Sequence, residues 1–203
     1  VKGIHRKAAE LEAEGYSVVL IGKRSHREIE GVIGRLNHIP YVVENAADVE
    51  KIPENAEVPL ACLTQTTLSM DDCAGLFDLL KKRIPGIRIC GGICGATTAR
   101  QRAVKQLAER CRTILVIGSV KSSNSRKLRE VAESCGARAL LIASADELNL
   151  TELPDGDIGV TSGASAPEYL LQETVAKLES AGWRRALPDG TEQDVSGPVS
   201  MCR

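Results

Sequence analysis

Four polar stretches follow directly on short apolar, β-rich runs. Lys23-Arg24-Ser25-His26-Arg27-Glu28 comes after Ile21-Gly22, and Thr64-Gln65-Thr66-Thr67-Leu68-Ser69 after Leu63. Ser119-Val120-Lys121-Ser122-Ser123-Asn124-Ser125 comes after Ile117-Gly118, and Thr161-Ser162-Gly163-Ala164-Ser165 after Val160. Hydroxyls, an amide and an imidazole can together cradle a phosphate. In parallel α/β sheets such groups collect at the carboxyl ends of strands, where helix N-termini present unpaired N–H groups to anions. A local reading competes: Ser, Thr, Asn and Asp at helix starts act as N-caps. On that reading His26 is a surface or capping residue and Glu28 a solvated first-turn carboxylate. Cys94, in Cys90-Gly91-Gly92-Ile93-Cys94, is either a small buried hydrophobe or a metal ligand. From the residues alone the chain reads as a phosphate-binding α/β protein, with one cysteine suited to a metal.

The elements that must position these stretches alternate along the chain. Ile4, Ala8 and Leu11 share a helical face that Gly15 ends, and residues 17–21 form a strand. A helix over 27–36, strands at 41–43 and 58–63, and a helix from Ser69 to about residue 83 follow. Asp71 and Asp72 suit the first turn of that last helix. The later half repeats the scheme, with helices over 97–110, 124–134 and 167–180 and strands at 113–117, 139–142 and 158–161. Strands alternating with helices predict an α/β fold with mostly parallel sheets. Ser17-Val18-Val19-Leu20-Ile21-Gly22 matches Thr113-Ile114-Leu115-Val116-Ile117-Gly118 at an offset of 96, as Ala8 does Val104 and Leu11 does Leu107. Leu63-Thr64 resembles Val160-Thr161, with Ser69 and Ser165 following. Two repeated three-layer α/β units are therefore expected, over 1–91 and 92–185, with a C-terminal tail over 186–203.

Composition removes several classes. A net charge of −1 gives no global attraction to nucleic acid or an anionic membrane, and 2% aromatics give no base-stacking platform. No apolar run approaches the ~20 residues that span a bilayer, and no signal peptide pattern opens the chain. Seven scattered cysteines, an odd number, suit reduced thiols and a cytoplasmic location better than a disulfide framework.

The same stretches resemble the 4-hydroxy-3-methylbut-2-enyl diphosphate reductase family. His26-Arg27-Glu28-Ile29-Glu30-Gly31 is similar to its His-x-Glu-Val-Glu-Gly stretch, and Thr64 to Ser69 to its Thr-Gln-Thr-Thr-Leu-Ser motif. Cys94-Gly95-Ala96-Thr97, with Arg100-Gln101, resembles the segment of its third cluster cysteine. Gly118-Ser119 with Ser122 to Ser125, and Gly159 to Pro167, complete the set. The resemblance implies an oxidoreductase of isoprenoid precursor synthesis with three similar α/β units around a [4Fe-4S] cluster held by three cysteines. Cys94 would be one of these. Val1 looks like the end of the segment carrying another, where the offset of 96 also puts the counterpart of Cys94. The first cysteine and two further diphosphate-binding histidines would belong to an N-terminal unit outside this stretch, which is therefore expected to be inactive alone. By the same resemblance His26, Ser122, Ser123, Asn124 and Ser165 would bind the substrate diphosphate. Thr66 or Thr67 would contact the substrate near its hydroxyl, and Glu28 would protonate the leaving oxygen. A ferredoxin or flavodoxin would supply electrons one at a time.

Two other classes are weighed against this one. A non-catalytic phosphate- or nucleotide-binding module fits the loops, but Gly91-Gly92 carries neither a dinucleotide fingerprint nor a P-loop. A purely structural fragment of the enzyme would hold no iron.

Overall fold

The computed structural model describes residues 2–91, 95–186 and 198–202. Contacts along the chain divide it into two compact units, Val1–Gly95 and Ala96–Arg203.

In the first unit, β1 (Ser17–Ile21) lies between β2 (Tyr41–Val43) and β3 (Leu60–Thr64), with β4 (Arg88–Ile89) beyond β3. All pairs are parallel. The run Val18-Val19-Leu20-Ile21 has no polar alternation because both of its faces are covered. Val18 and Leu20 join one apolar cluster with α1 (Lys2–Ala13) and α2 (Arg27–Ile33), through Ile4, Ala8, Leu11, Ile29 and Val32. Val19 and Ile21 join the opposite cluster with α3 (Ala46–Val49) and α4 (Met70–Arg83), through Val49, Cys73 and Leu80. The expected three layers are present. Two boundaries shift from the sequence reading. The third strand begins at Leu60 because Pro59 lacks an N–H; its carbonyl accepts from Ser17 N–H at 2.9 Å as the ladder opens. Helix α2 stops at Ile33, where Gly34 caps it by donating back to Glu30.

The second unit opens with α5 (Gly95–Arg110) and places β5 (Thr113–Ile117) between β6 (Arg138–Ile142) and β7 (Ile158–Ser162), all parallel. Helices α5 and α6 (Ser123–Ser134) cover one face, and α7 (Glu168–Ser180) the other. Between β6 and β7 two short 3-10 turns stand in place of a helix. Lys177 Nζ satisfies their carbonyls at Ala145 (2.7 Å) and Leu148 (2.8 Å). The segment read above as a tail contributes β9 (Val199–Cys202), which runs antiparallel between β7 and β8 (Arg184–Arg185). Val199 and Met201 bury their side chains in the unit's core.

The orders β2-β1-β3 and β6-β5-β7 are the same, so the repeat extends to topology. Its register corrects one sequence match. Ile21 pairs with Thr64 and Ile117 with Ser162, so the strand-end counterparts are Thr64 and Ser162. The offset is 96 at β1 and β5 but 98 at β3 and β7. Thr67 thus corresponds to Ser165, and Ser69 to Pro167, not to Ser165. The two caps confirm this: Ser69 caps α4 and Pro167 stands at the cap of α7.

Candidate active site

In each unit the chain leaves the central strand toward one edge of the sheet and leaves its neighbour toward the other edge. Helices α2 and α4 thereby pass to opposite faces, opening a crevice at the carboxyl ends of β1 and β3. The same parting occurs at β5 and β7.

The first crevice is built by Gly22, Gln65, Glu28 and Thr66. Gln65 N–H donates to Ile21 O at 2.8 Å, turning the β3 loop across the end of β1. Its side chain lies over Gly22, where an added Cβ would come within 2.9 Å of Gln65 Cβ and 2.8 Å of Ile29 Cδ1. Only glycine fits beneath that close contact. Glu28, on the first turn of α2, is 2% exposed and turned inward. Its Oε1 accepts from Thr66 N–H and its Oε2 from the Thr66 hydroxyl, each at 2.6 Å. The solvated-carboxylate reading of Glu28 is set aside by that burial. His26 is the N-cap of α2, its Nδ1 accepting from Glu28 N–H at 3.2 Å. With Nδ1 an acceptor, a neutral ring carries its proton on Nε2. Ser69, by contrast, is committed to capping: its Oγ accepts from Asp72 N–H and Asp72 Oδ2 from Ser69 N–H.

The second crevice keeps the frame and changes the chemistry. Ser122 caps α6, its Oγ accepting from Ser125 N–H at 3.3 Å, and lies 3.5 Å from the exposed Ser165 Oγ. Asn124 holds the place of Glu28, and Ala164 that of Thr66, so the carboxylate–threonine pair has no copy. Asn124 is 7% exposed, and among the described residues neither its Oδ1 nor its Nδ2 has a hydrogen-bond partner. Ser125 Oγ is also buried without one, packed where Gly118 and Gly163 lack side chains. Unpaired buried polar atoms cost roughly 1–3 kcal/mol each. Three lie together at the start of α6. Ser123, half-buried, opens the same helix.

The structure thus brings His26, Glu28, Thr66 and Thr67 to one crevice and Ser122, Ser123, Asn124 and Ser165 to the other. Gln65 was not singled out in the sequence. Its signal was the pairing of a glycine after one strand with a long amide after the neighbouring strand. Cys94 lies outside the described residues. Among the described residues no three His, Cys, Asp or Glu side chains gather to hold a metal ion. One thiolate is a third of the expected cluster set, and the described residues add none. Cys62 and Cys73 are buried in the apolar core, and burial, with Cys73 and Cys90 adding to it, pushes the Cys62 thiol up to about 12. Such a thiol is inert rather than metal-binding. No described helix is long and apolar enough to cross a membrane.

Fold and crevices together define a repeated, parallel α/β protein with a polar strand-end site in each unit. Residues 1–179 match the family model for LytB protein, and the chain belongs to that family. A 4-hydroxy-3-methylbut-2-enyl diphosphate reductase of Psychrobacter arcticus is 44% identical over 207 residues, covering 97% of this chain and 64% of its own length. The reductase of the same name from Escherichia coli O1:K1 is 40% identical over 204 residues, covering 96% and 64%. A solved E-1-hydroxy-2-methyl-but-2-enyl-4-diphosphate reductase from Plasmodium falciparum aligns at a TM-score of 0.79 and 33% identity, covering 96% of this chain and 63% of that one. The chain spans about 64% of the length of these curated relatives.

Proposed function

We propose that this chain supplies the substrate-binding and proton-delivering groups of a 4-hydroxy-3-methylbut-2-enyl diphosphate reductase. The reaction is a reductive dehydroxylation: the allylic alcohol takes up two electrons and two protons, loses water, and gives isopentenyl and dimethylallyl diphosphates. The Glu28–Thr66 pair is the observation that carries this reading, because breaking a C–O bond requires a proton for a poor leaving group. In its acid form Glu28 passes a proton through the Thr66 hydroxyl to the departing oxygen. The phosphate end is held by His26 through Nε2 and by Ser122, Ser123, Asn124 and Ser165, and Thr67 contacts the substrate near its hydroxyl. Asn124 Nδ2 can donate to a phosphate oxygen, and its Oδ1 can accept from a partly protonated one. Cys94 serves as one thiolate of a [4Fe-4S] cluster, which when bound supplies the electrons, refilled by a ferredoxin or flavodoxin. The protein works in the cytoplasm.

The test is an anaerobic assay of the full-length protein with a chemical reductant, following both five-carbon diphosphate products, beside its iron content. Turnover that disappears in Cys94→Ser together with iron supports the reading. Full iron and turnover in Cys94→Ser would remove Cys94 from it, and no product from the wild type would overturn it.

A further inference from the structure

The structure assigns Gln65 a positioning role: its side-chain amide fixes the Thr67 hydroxyl as a hydrogen-bond donor toward the substrate. The role rests on the reductase reading above. Gln65 is 3% exposed and spans the two loops of the first crevice. At one end it meets Lys23 N–H at 3.1 Å. A backbone N–H can only donate, so the atom there is Oε1, and the amide cannot be flipped. The other end is therefore Nε2, 2.8 Å from Thr67 Oγ1. An amide nitrogen can only donate, so the Thr67 oxygen accepts, and the hydroxyl's single proton must turn away from Gln65. Thr67 thus presents a donor to any oxygen entering the crevice, which suits a substrate hydroxyl or phosphate oxygen.

The neighbouring Thr66 hydroxyl has no such fixed polarity. While Glu28 is a carboxylate, the Thr66 proton is directed to its Oε2 and lone pairs face outward; when Glu28 carries the proton the order reverses and Thr66 donates outward. Thr67, held by an amide that cannot reverse, stays a donor in both states. The second unit lacks the device. Gly163 stands where Gln65 stands, and among the described residues no amide orients Ser165, whose hydroxyl lies 3.5 Å from Ser122 Oγ with either atom able to donate. Gln65 does not touch the reacting atoms in this scheme; it acts through Thr67.

The experiment is a double-mutant cycle on the full-length holoenzyme. Gln65→Glu still offers an acceptor to Lys23 N–H but replaces the donor facing Thr67 by a second acceptor, so the Thr67 proton turns inward. We expect kcat/KM to fall roughly 10-fold, the scale of one lost hydrogen bond. In a Thr67→Val background there is no hydroxyl to orient. The same Gln65→Glu change should there cost at least about fivefold less, since coupled residues do not add. The added charge acts in both backgrounds, so the difference between them reads the hydroxyl's orientation. Gln65→Met, run through the same cycle, serves if Gln65→Glu does not fold. Turnover by the wild type with equal losses in both backgrounds overturns the role of Gln65 and leaves the reductase reading standing. Absence of turnover in the wild type overturns that reading, and this role with it.

Discussion

Glu28 and Thr66, 38 residues apart in the chain, meet through two hydrogen bonds of 2.6 Å in which one residue donates both times. The geometry ties the loop after β3 to the first turn of α2. It also leaves the carboxylate nearly enclosed, at 2% exposure. The pair is a structural clamp and, in the proposed reaction, a path for a proton, and substitutions must be chosen to separate these.

His26 combines a cap with a proposed phosphate contact. His26→Ala loses both, and should cost about 1 kcal/mol of stability and raise the dissociation constant for the diphosphate substrate roughly 10-fold. His26→Asn keeps an oxygen able to cap α2, so it should recover the stability and not the affinity. Urea titration beside calorimetry measures the two effects. Recovery of affinity by asparagine would place His26 outside the phosphate site.

Asn124 buries two polar atoms without partners, which a free protein tolerates only at a cost. Asn124→Leu, of similar size, is expected to stabilise the ligand-free protein by about 1 kcal/mol while removing the stabilisation that added inorganic pyrophosphate gives the wild type. Melting curves with and without pyrophosphate check this. A destabilised variant that still responds to pyrophosphate would show that Asn124 serves the fold and not the ligand.

Cys62 predicts a pH dependence. Its thiol ionises near 9.0 when unfolded, but burial pushes it up to about 12 in the fold. Between these values the folded state keeps a proton that the unfolded state has lost. Stability contributed by this group is complete below pH 9 and declines as pH rises toward 12, by about 1.4 kcal/mol per pH unit for one proton. Equilibrium unfolding at pH 8 to 11 should show that slope reduced in Cys62→Ala relative to wild type. Equal slopes would mean that water reaches the thiol in the folded state. At pH 8 iodoacetamide should modify the exposed Cys135 and spare Cys62 until denaturant is added.

Much of the frame was legible in the sequence because apolar runs buried on both faces stand out. The strand 113–117 coincides with β5, and Gly15, with φ of 87°, does end the first helical segment. The repeat was legible at β1 and β5 and misread at β3 and β7. Residue likeness joined Thr64 to Thr161, whereas hydrogen-bond register joins it to Ser162. Likeness follows burial, and register follows loop length, which differs between the units where 3-10 turns stand in place of α3. The strands β4, β8 and β9 escaped notice because Arg88-Ile89, Arg184-Arg185 and Val199-Ser200-Met201-Cys202 lack the continuous apolar run that marked the others. At the site, residue types marked the loops but could not separate caps from ligand groups. Ser69 is satisfied by Asp72, while Asn124 is left unsatisfied, and only packing distinguishes them. Gln65 was hidden for the same reason, since its role depends on two partners in different loops.

The central claim is that Glu28 delivers the proton through Thr66. Glu28→Gln in the full-length holoenzyme retains an acceptor for Thr66 N–H and removes the transferable proton. Steady-state turnover measured beside diphosphate affinity and iron content is the decisive comparison. The account predicts that affinity and iron stay within about twofold of wild type while turnover falls roughly 10²-fold or more. Near-normal turnover would contradict it and leave Glu28 as a structural clamp for the two loops.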